Sequence, residues 1–309
     1  PSPAFDNLVS NFDRIGDANL NRLFSVTLAI TNQCPYKCWH CYNAGRRQKD
    51  LPLETIKTAA NDLQNMGAVM VTLTGGEPLI REELEEIADF FDERTCINLN
   101  TTGFGFSRER AQKLQASNVF GIGVSLDSVQ PEEHDDLRGT KGAFETAIKC
   151  LNVASENGLY PYVVSVATKD FLNENRFYDF MDFCAQSGAR EVHLLEPSAT
   201  GKLLGQSKVH LGPTERQLIL NYQKEVARNE RLPILSSFTY LESKDAFGCG
   251  AGLTHLYIDG SGEVCPCNLV PLSFGNVAQE ALESILARMR KYFAEPRHTC
   301  VGKILSKHI

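Results

Sequence analysis

No window of the chain holds the roughly 18 consecutive apolar residues that a membrane-spanning helix needs. Nothing at its start has the charged, then apolar, then small-residue order of a secretory signal. Basic charge is also in short supply. With 31 Lys and Arg against 38 Asp and Glu, the net charge is −7, which excludes an extended nucleic-acid face. The short basic run of Arg46, Arg47 and Lys49 reads as a solvated loop. Cysteine is not scarce, but 309 residues is too long for a secreted disulfide scaffold. Ten cysteines in such a chain suit a reducing cytosol, where they serve as metal ligands and buried thiols. An apolar share of 42% and a charged share of 22% describe an ordinary globular protein, large enough for one barrel or two domains. The chain opens on Pro1 rather than Met, which reads as a trimmed start and leaves the far end open to trimming too.

Residues 1–23 have mixed polarity and a weak helical period, and are read as a lead-in packed on the outside. From Ser25 onward, strand-like runs at 25–31, 69–74, 96–101, 120–126, 161–168 and 190–196 alternate with amphipathic stretches. Those stretches cover 53–66, 81–91, 107–116, 142–157 and 173–187, with apolar residues three or four apart, as in Ile56, Ala60 and Leu63. Gly67, Gly158 and Gly188 fall just past three of them, where a left-handed cap is expected. Six β-then-α steps require an α/β fold with a parallel sheet and right-handed crossovers. Active groups then belong at the carboxyl ends of the strands. A bridging loop over 198–213 and a helix over 214–230, capped by Thr214, complete this part.

Cys34, Cys38 and Cys41 follow the first strand as C-x3-C-x2-C. Three closely spaced thiolates suit a four-iron cube, holding three irons and leaving the fourth without a protein ligand. A zinc knuckle is the other reading; it needs a closed shell, and the next cysteine is Cys96. Further motifs follow in order. Thr74-Gly75-Gly76-Glu77-Pro78 ends the second strand, where two glycines let the backbone approach a ligand and Glu77 offers charge to a cation. Gly123-Val124-Ser125-Leu126-Asp127-Ser128 ends the fourth, and His134-Asp135-Asp136-Leu137-Arg138-Gly139 comes next. Asp127 is read as fixing its loop and His134 as capping the loop that follows it. Glu196, at the end of the sixth strand, is a weak catalytic candidate and equally a salt-bridge anchor. Cys96, Cys150 and Cys184 are read as core thiols.

This series of motifs resembles the radical S-adenosylmethionine (SAM) superfamily. The resemblance implies a partial (β/α)6 TIM-like barrel over 24–231 and a [4Fe–4S] cluster on Cys34, Cys38 and Cys41. SAM would chelate the open iron through its amino and carboxylate groups. The implied SAM contacts are Tyr36, His40, Gly75, Gly76, Glu77, Thr102, Ser125, Arg138 and Leu195. Glu77 would face the ammonium, Arg138 the carboxylate through its bidentate fork, and Leu195 the adenine. Thr101-Thr102-Gly103 departs from the family's T-N-G, which loosens the contact at Thr102.

Residues 232–309 carry Cys249, Cys265, Cys267 and Cys300, a hairpin-like stretch over 254–264 with Asp259-Gly260 at its turn, and a helix-like stretch over 279–293. This small C-terminal iron–sulfur extension resembles the SPASM/twitch domains of radical SAM enzymes. A full SPASM domain uses more cysteines, for two clusters; four thiolates suffice for one. The expectation is a single auxiliary [4Fe–4S] cluster held by all four or by three, with zinc or unused thiols as alternatives. His255 and His298 are read as surface residues.

The resemblance implies an oxidoreductase or maturase that cleaves SAM reductively. The resulting 5′-deoxyadenosyl radical would take hydrogen from an unactivated carbon. Members with such a tail often modify ribosomal peptides by a thioether or carbon–carbon link; a small molecule, tetrapyrrole, sugar or lipid is the alternative. A flavodoxin or ferredoxin would supply electrons, and the location would be cytoplasmic. A different class, an iron–sulfur electron-transfer or sensing protein, leaves residues 75–77, Ser125 and Arg138 without a purpose.

Overall fold

The computed structural model describes residues 23–243 and 246–305, together with Val9. The lead-in expected over 1–23 therefore lies, apart from Val9 and Leu23, outside the described residues. The expected strands appear within a residue or two as β1 (Ser25–Thr31), β2 (Met70–Gly75), β3 (Cys96–Thr101), β4 (Val119–Ser125), β5 (Tyr160–Val166) and β6 (Glu191–Leu195). Each pairs parallel with the next. The crossovers are α1 (Leu53–Asn65), α2 (Leu84–Ala88), α3 (Arg108–Ala116), α4 (Pro131–Arg138) with α5 (Ala143–Glu156), and α6 (Glu174–Gln186). Gly67, Gly158 and Gly188 take the positive φ expected of caps.

One face of the sheet is apolar because it meets these helices. Leu28, Leu73, Leu99, Ile122, Val163 and Val192 are fully buried in one core with Ile56, Leu63, Leu114 and Leu151. Each such side chain contributes about 1.5–3 kcal/mol by leaving water. The alternate positions, Thr27, Thr72, Asn98 and Asn100, are polar and line the opposite face, the lumen of a partial barrel. Tyr162 lies there too, its hydroxyl donating to Asn100 Oδ1 at 2.7 Å.

Four features differ from expectation. The H-D-x-x-R-G run forms most of α4, because Pro131 starts a helix with acids in its first turn and Gly139, at φ 60°, ends it. The later helix, α7 (Pro213–Val226), is capped at Gly212 and not at Thr214. Pro213 takes its first position, and Glu215 accepts the Gly212 N–H at 2.9 Å. The expected tail boundary at residue 232 cuts off a strand: β7 (Ile234–Ser237) pairs parallel with β6. The tail hairpin, β8 (His255–Ile258) and β9 (Val264–Cys265), joins the same sheet, β8 lying parallel to β1. The full order is β7-β6-β5-β4-β3-β2-β1-β8-β9. Short helices α8 (Phe238–Leu241), α9 (Leu282–Met289) and α10 (Val301–Leu305) complete the tail. Among the described residues no helix is long and apolar enough to cross a membrane.

His255 is not a surface residue. It is half-buried at the start of β8 and shares a hydrogen bond with Ser25 Oγ at 2.9 Å. Burial lowers its pKa from 6.5 to about 4, and burial with Arg138 lowers His134 likewise to about 4. Both are neutral in the folded chain, whereas the unfolded chain takes up protons near 6.5. Their stabilisation is complete above about pH 6.5 and declines as pH falls toward 4. Thermal melts should therefore show Tm dropping between pH 6.5 and 5, less steeply in His255→Gln; a flat Tm across that window contradicts this.

Candidate active site

The cysteine loop leaves the carboxyl end of β1 and is fixed by backbone contacts at both ends. Gly76 N–H donates to Thr31 O at 2.9 Å, and Glu77 N–H to Gln33 O at 2.8 Å. The two chains approach so closely that a Cβ on Gly76 would lie 2.1 Å from Gln33 O, a separation no side chain tolerates. The glycine pair thus seats the residue just before Cys34. At the far end, Gly201 and Lys202, in the loop after β6, close over the cysteines. Lys202 N–H donates to Cys41 O, and its ammonium donates to Lys37 O at 2.7 Å and Cys38 O at 2.8 Å. Asn32 and Asn43 brace the middle: Asn43 donates to Asn32 O, and Asn32 Oδ1 accepts Gly260 N–H from the hairpin turn. No local sequence signal marks Asn32, Asn43 or Lys202 for these roles, since their partners are set by tertiary contacts.

Within this frame Cys34 is exposed, Cys38 buried and Cys41 between the two, all three as free thiols. Tyr36 N–H donates to Cys34 Sγ at 3.4 Å. Burial pushes the Cys34 thiol up to about 12, and raises Cys38 against the pull of Arg138. Metal binding must therefore displace protons. Arg138 Nη1 reaches Cys38 Sγ at 4.0 Å, while Nη2 pairs with Asp127 at 2.8 Å; Nε is buried without a partner. Asp127 also accepts Val166 N–H and stands 3.6 Å from His40 Nε2. Burial would raise its carboxyl, but Arg138, His40 and His134 hold it well below the usual range. His134 braces the loop before it and not the one that follows, accepting Asp127 N–H at 3.1 Å.

Glu77, expected to face a cation, is fully buried and turned toward β3. Its two oxygens accept from Thr101 Oγ1 (2.6 Å), Leu79 N (3.0 Å), Thr102 N (2.7 Å) and Thr102 Oγ1 (2.6 Å). Four donors leave it a brace between the ends of β2 and β3. Thr102, tied to Glu77, is thereby buried as well. Tyr36 packs edge-on to Phe104 beside this brace. Ser125 and Leu195 are half-buried at the ends of β4 and β6. The remaining thiols split: Cys150 and Cys184 lie in the core, whereas Cys96 is only half-buried, at the start of β3.

Glu196 does not open into the lumen as a catalytic group would. Its carboxylate accepts from Arg216 at 2.5 Å, Thr239 at 2.8 Å and Lys303. Arg216 also pairs with Glu242 at 2.8 Å. This network ties β6 to α7, α8 and α10. Glu196→Ala removes the acceptor that Arg216, Thr239 and Lys303 share and should cost roughly 1–3 kcal/mol, read as a lower Tm with turnover near that of the unsubstituted protein. Loss of turnover at unchanged Tm would restore it as a catalytic candidate.

Arg46, read as part of a solvated loop, is largely enclosed, its side chain 10% exposed. It pairs with Asp259 at 3.3 Å and stacks over Tyr257 at 4.7 Å. In the tail, Cys249, Cys267 and Cys300 are half-exposed or less and Cys265 is buried; His298 is exposed, as expected. Among the described residues no three His, Cys, Asp or Glu side chains converge as tightly as a single metal ion requires. Three free thiols on one braced loop, with a guanidinium at Cys38, match the donor set of an iron–sulfur cube.

Comparisons with known proteins agree with this arrangement. Residues 28–184 match the family model of the radical SAM superfamily, and residues 249–301 that of the SPASM iron–sulfur cluster-binding domain. The antilisterial bacteriocin subtilosin biosynthesis protein AlbA of Bacillus subtilis is 30% identical over 84% of this chain and 58% of its own length. The mycofactocin maturase MftC of Mycolicibacterium smegmatis is 30% identical over 84% of this chain and 67% of its own. The chain thus spans about three-fifths to two-thirds of these relatives. Streptococcus suis SuiB, solved bound to its precursor peptide SuiA, superposes with a TM-score of 0.70 at 16% identity, covering 91% of this chain and 68% of SuiB.

Proposed function

Because the chain belongs to the radical SAM superfamily and ends in a SPASM-type domain, we propose that it cleaves SAM reductively and modifies a ribosomal peptide at an unactivated carbon. The observation that carries the reading is the braced loop of Cys34, Cys38 and Cys41 at the mouth of a polar lumen. Cys34, Cys38 and Cys41 would hold the [4Fe–4S] cluster, which would supply the electron for reductive cleavage of SAM. The chain's own residues orient and shield. Arg138, with its free Nε, and His40 present positive or donating groups beside Cys38. The backbone at Gly75 and Gly76 sets the loop. Ser125 and Leu195 close the strand ends where the ribose and adenine would lie. Enclosure by the lumen keeps water from a primary radical.

The peptide class is supported by the names of AlbA and MftC and by SuiB's bound precursor. The bond formed would be a thioether or a carbon–carbon link. Electrons would come from a flavodoxin or ferredoxin, in the cytoplasm. The test is anaerobic reconstitution with iron and sulfide, then SAM and dithionite, with and without any short peptide encoded beside this gene. We expect 5′-deoxyadenosine to rise with the peptide and the peptide's mass to change. SAM cleavage that ignores the peptide, with an unaltered mass, would remove the peptide reading; no cleavage under any condition would remove the chemistry.

A further inference from the structure

His193 is a titratable side chain on the lumen face with no part in the site as described so far. Along β6, Val192 and Leu194 lie in the core, so Glu191, His193 and Leu195 share the opposite face. Backbone register sets the height of the ring. Ser125 pairs with Val164, Val164 with His193 and His193 with Ser236, so one row crosses from β4 to β7. With neighbouring strands about 4.8 Å apart, His193 stands roughly 10 Å across from Ser125. Leu195 is one step higher on the same face, about 6.6 Å along β6. His193 is therefore level with the residue assigned to the ribose and just below the one assigned to the adenine.

The row beneath holds the ring in place. Asn100, Gly123, Tyr162 and Glu191 are in register from β3 to β6. Only a glycine fits in the second place: a Cβ on Gly123 would lie 2.2 Å from Asn100 Oδ1 and 2.4 Å from the Tyr162 ring. Through that gap Tyr162 lies across β4 and donates its hydroxyl to Asn100. Burial, with Glu191 nearby, pushes its phenol up, so it serves as a donor and not as a base. The His193 ring packs on Tyr162 with centroids 4.6 Å apart, and its Nε2 stands 2.9 Å from Glu191 Oε1. A carboxylate there accepts Nε2–H, which fixes the tautomer and leaves the lone pair on Nδ1. Nδ1 has no partner among the described residues, and the side chain is 38% exposed.

We propose that His193 is the base of this site, taking at Nδ1 the proton that the peptide sheds as its new bond closes. The inference rests on the peptide reading, and its test separates the two. A C–H bond of the peptide first gives its hydrogen atom to the primary radical, forming 5′-deoxyadenosine. The carbon radical then bonds to a second peptide atom that still carries hydrogen. That hydrogen leaves as a proton, to His193, and an electron, to an oxidised iron–sulfur cluster. The peptide ends two hydrogens lighter, and Glu191 stabilises the imidazolium. Ser125, Val164 and Ser236, the neighbours of His193 in its row, offer no base.

The test uses the reconstituted full chain with SAM, dithionite and the short peptide encoded beside this gene. In His193→Ala, altered peptide per 5′-deoxyadenosine should fall by about two orders of magnitude, the size of a lost general base. Added imidazole should restore much of that ratio, which a purely structural defect would not allow. Glu191→Gln should give a smaller loss of the same kind, and serves if His193→Ala fails to fold. A ratio equal to that of the unsubstituted protein, or a loss that imidazole leaves untouched, overturns the assignment. The second readout needs no turnover. Diethyl pyrocarbonate should label His193, located by mass spectrometry, and SAM alone should slow that labelling several-fold. A labelling rate indifferent to SAM overturns the placement whether or not the peptide is a substrate. Shielding by SAM with a peptide that stays unaltered would instead count against the peptide reading and keep His193 at the site.

Discussion

Cys38→Ala is expected to abolish 5′-deoxyadenosine formation and to remove about four of about eight irons per chain, leaving the tail cluster's absorbance in place. Cys38 is the buried member of its loop and the one that Arg138 approaches. The carbonyls on either side of its peptide, at Lys37 and Cys38, are both held by Lys202. A neutral methyl there removes one iron ligand while leaving those backbone contacts intact. The tail cysteines lie on elements that pack against the barrel without sharing the loop's ligands. The outcome is therefore partial loss of iron with total loss of SAM cleavage. Loss of all iron in a folded variant would mean that the two sites are not independent.

The second large effect comes from a glycine just past the end of β2. Gly76→Ala places a methyl 2.1 Å from Gln33 O and 2.5 Å from its carbonyl carbon. Both are backbone atoms, so the cysteine loop must shift as a whole. A displacement of this kind next to Cys34 should lower SAM cleavage by about two orders of magnitude, near 3 kcal/mol of barrel-mouth geometry. The tail cluster should be spared. Gly45→Ala, at the other end of the same loop, meets nothing within 4 Å, although its φ of 82° still carries strain. That variant should lose far less. Equal losses in both would show that the loop tolerates no change anywhere, and the specific role of the glycine pair would fall.

The parts of the site that sequence reasoning reached are those whose partners are close in the chain or whose chemistry is particular to the residue. Three cysteines after an apolar strand, glycines at a strand end and glycines past three helices each carry their own physical reason. Side-chain direction is another matter. Glu77 was read as facing outward to a cation, but four donors from residues 79, 101 and 102 turn it inward, and two of those residues are more than twenty positions away. Arg46 looked solvated because its neighbours Arg47 and Lys49 are charged; its partners Asp259 and Cys265 lie more than 210 residues on. Glu196 became an anchor through Lys303, 107 residues away. β7 is four residues long, too short for periodicity to show, and the hairpin that holds β8 carries no local sign of the sheet it joins. Only the sheet edges offered by β6 and β1 give them partners.

The central claim is that the trio of Cys34, Cys38 and Cys41 leaves one iron free for SAM. It is tested most directly by EPR and electron–nuclear double resonance on the dithionite-reduced protein, given SAM labelled with 17O in its methionyl carboxylate. A changed g pattern with hyperfine coupling to the labelled oxygen is the predicted result, present in wild type and absent in Cys38→Ala. Metal analysis that finds zinc on this loop, or a reduced cluster whose spectrum ignores SAM, would contradict it.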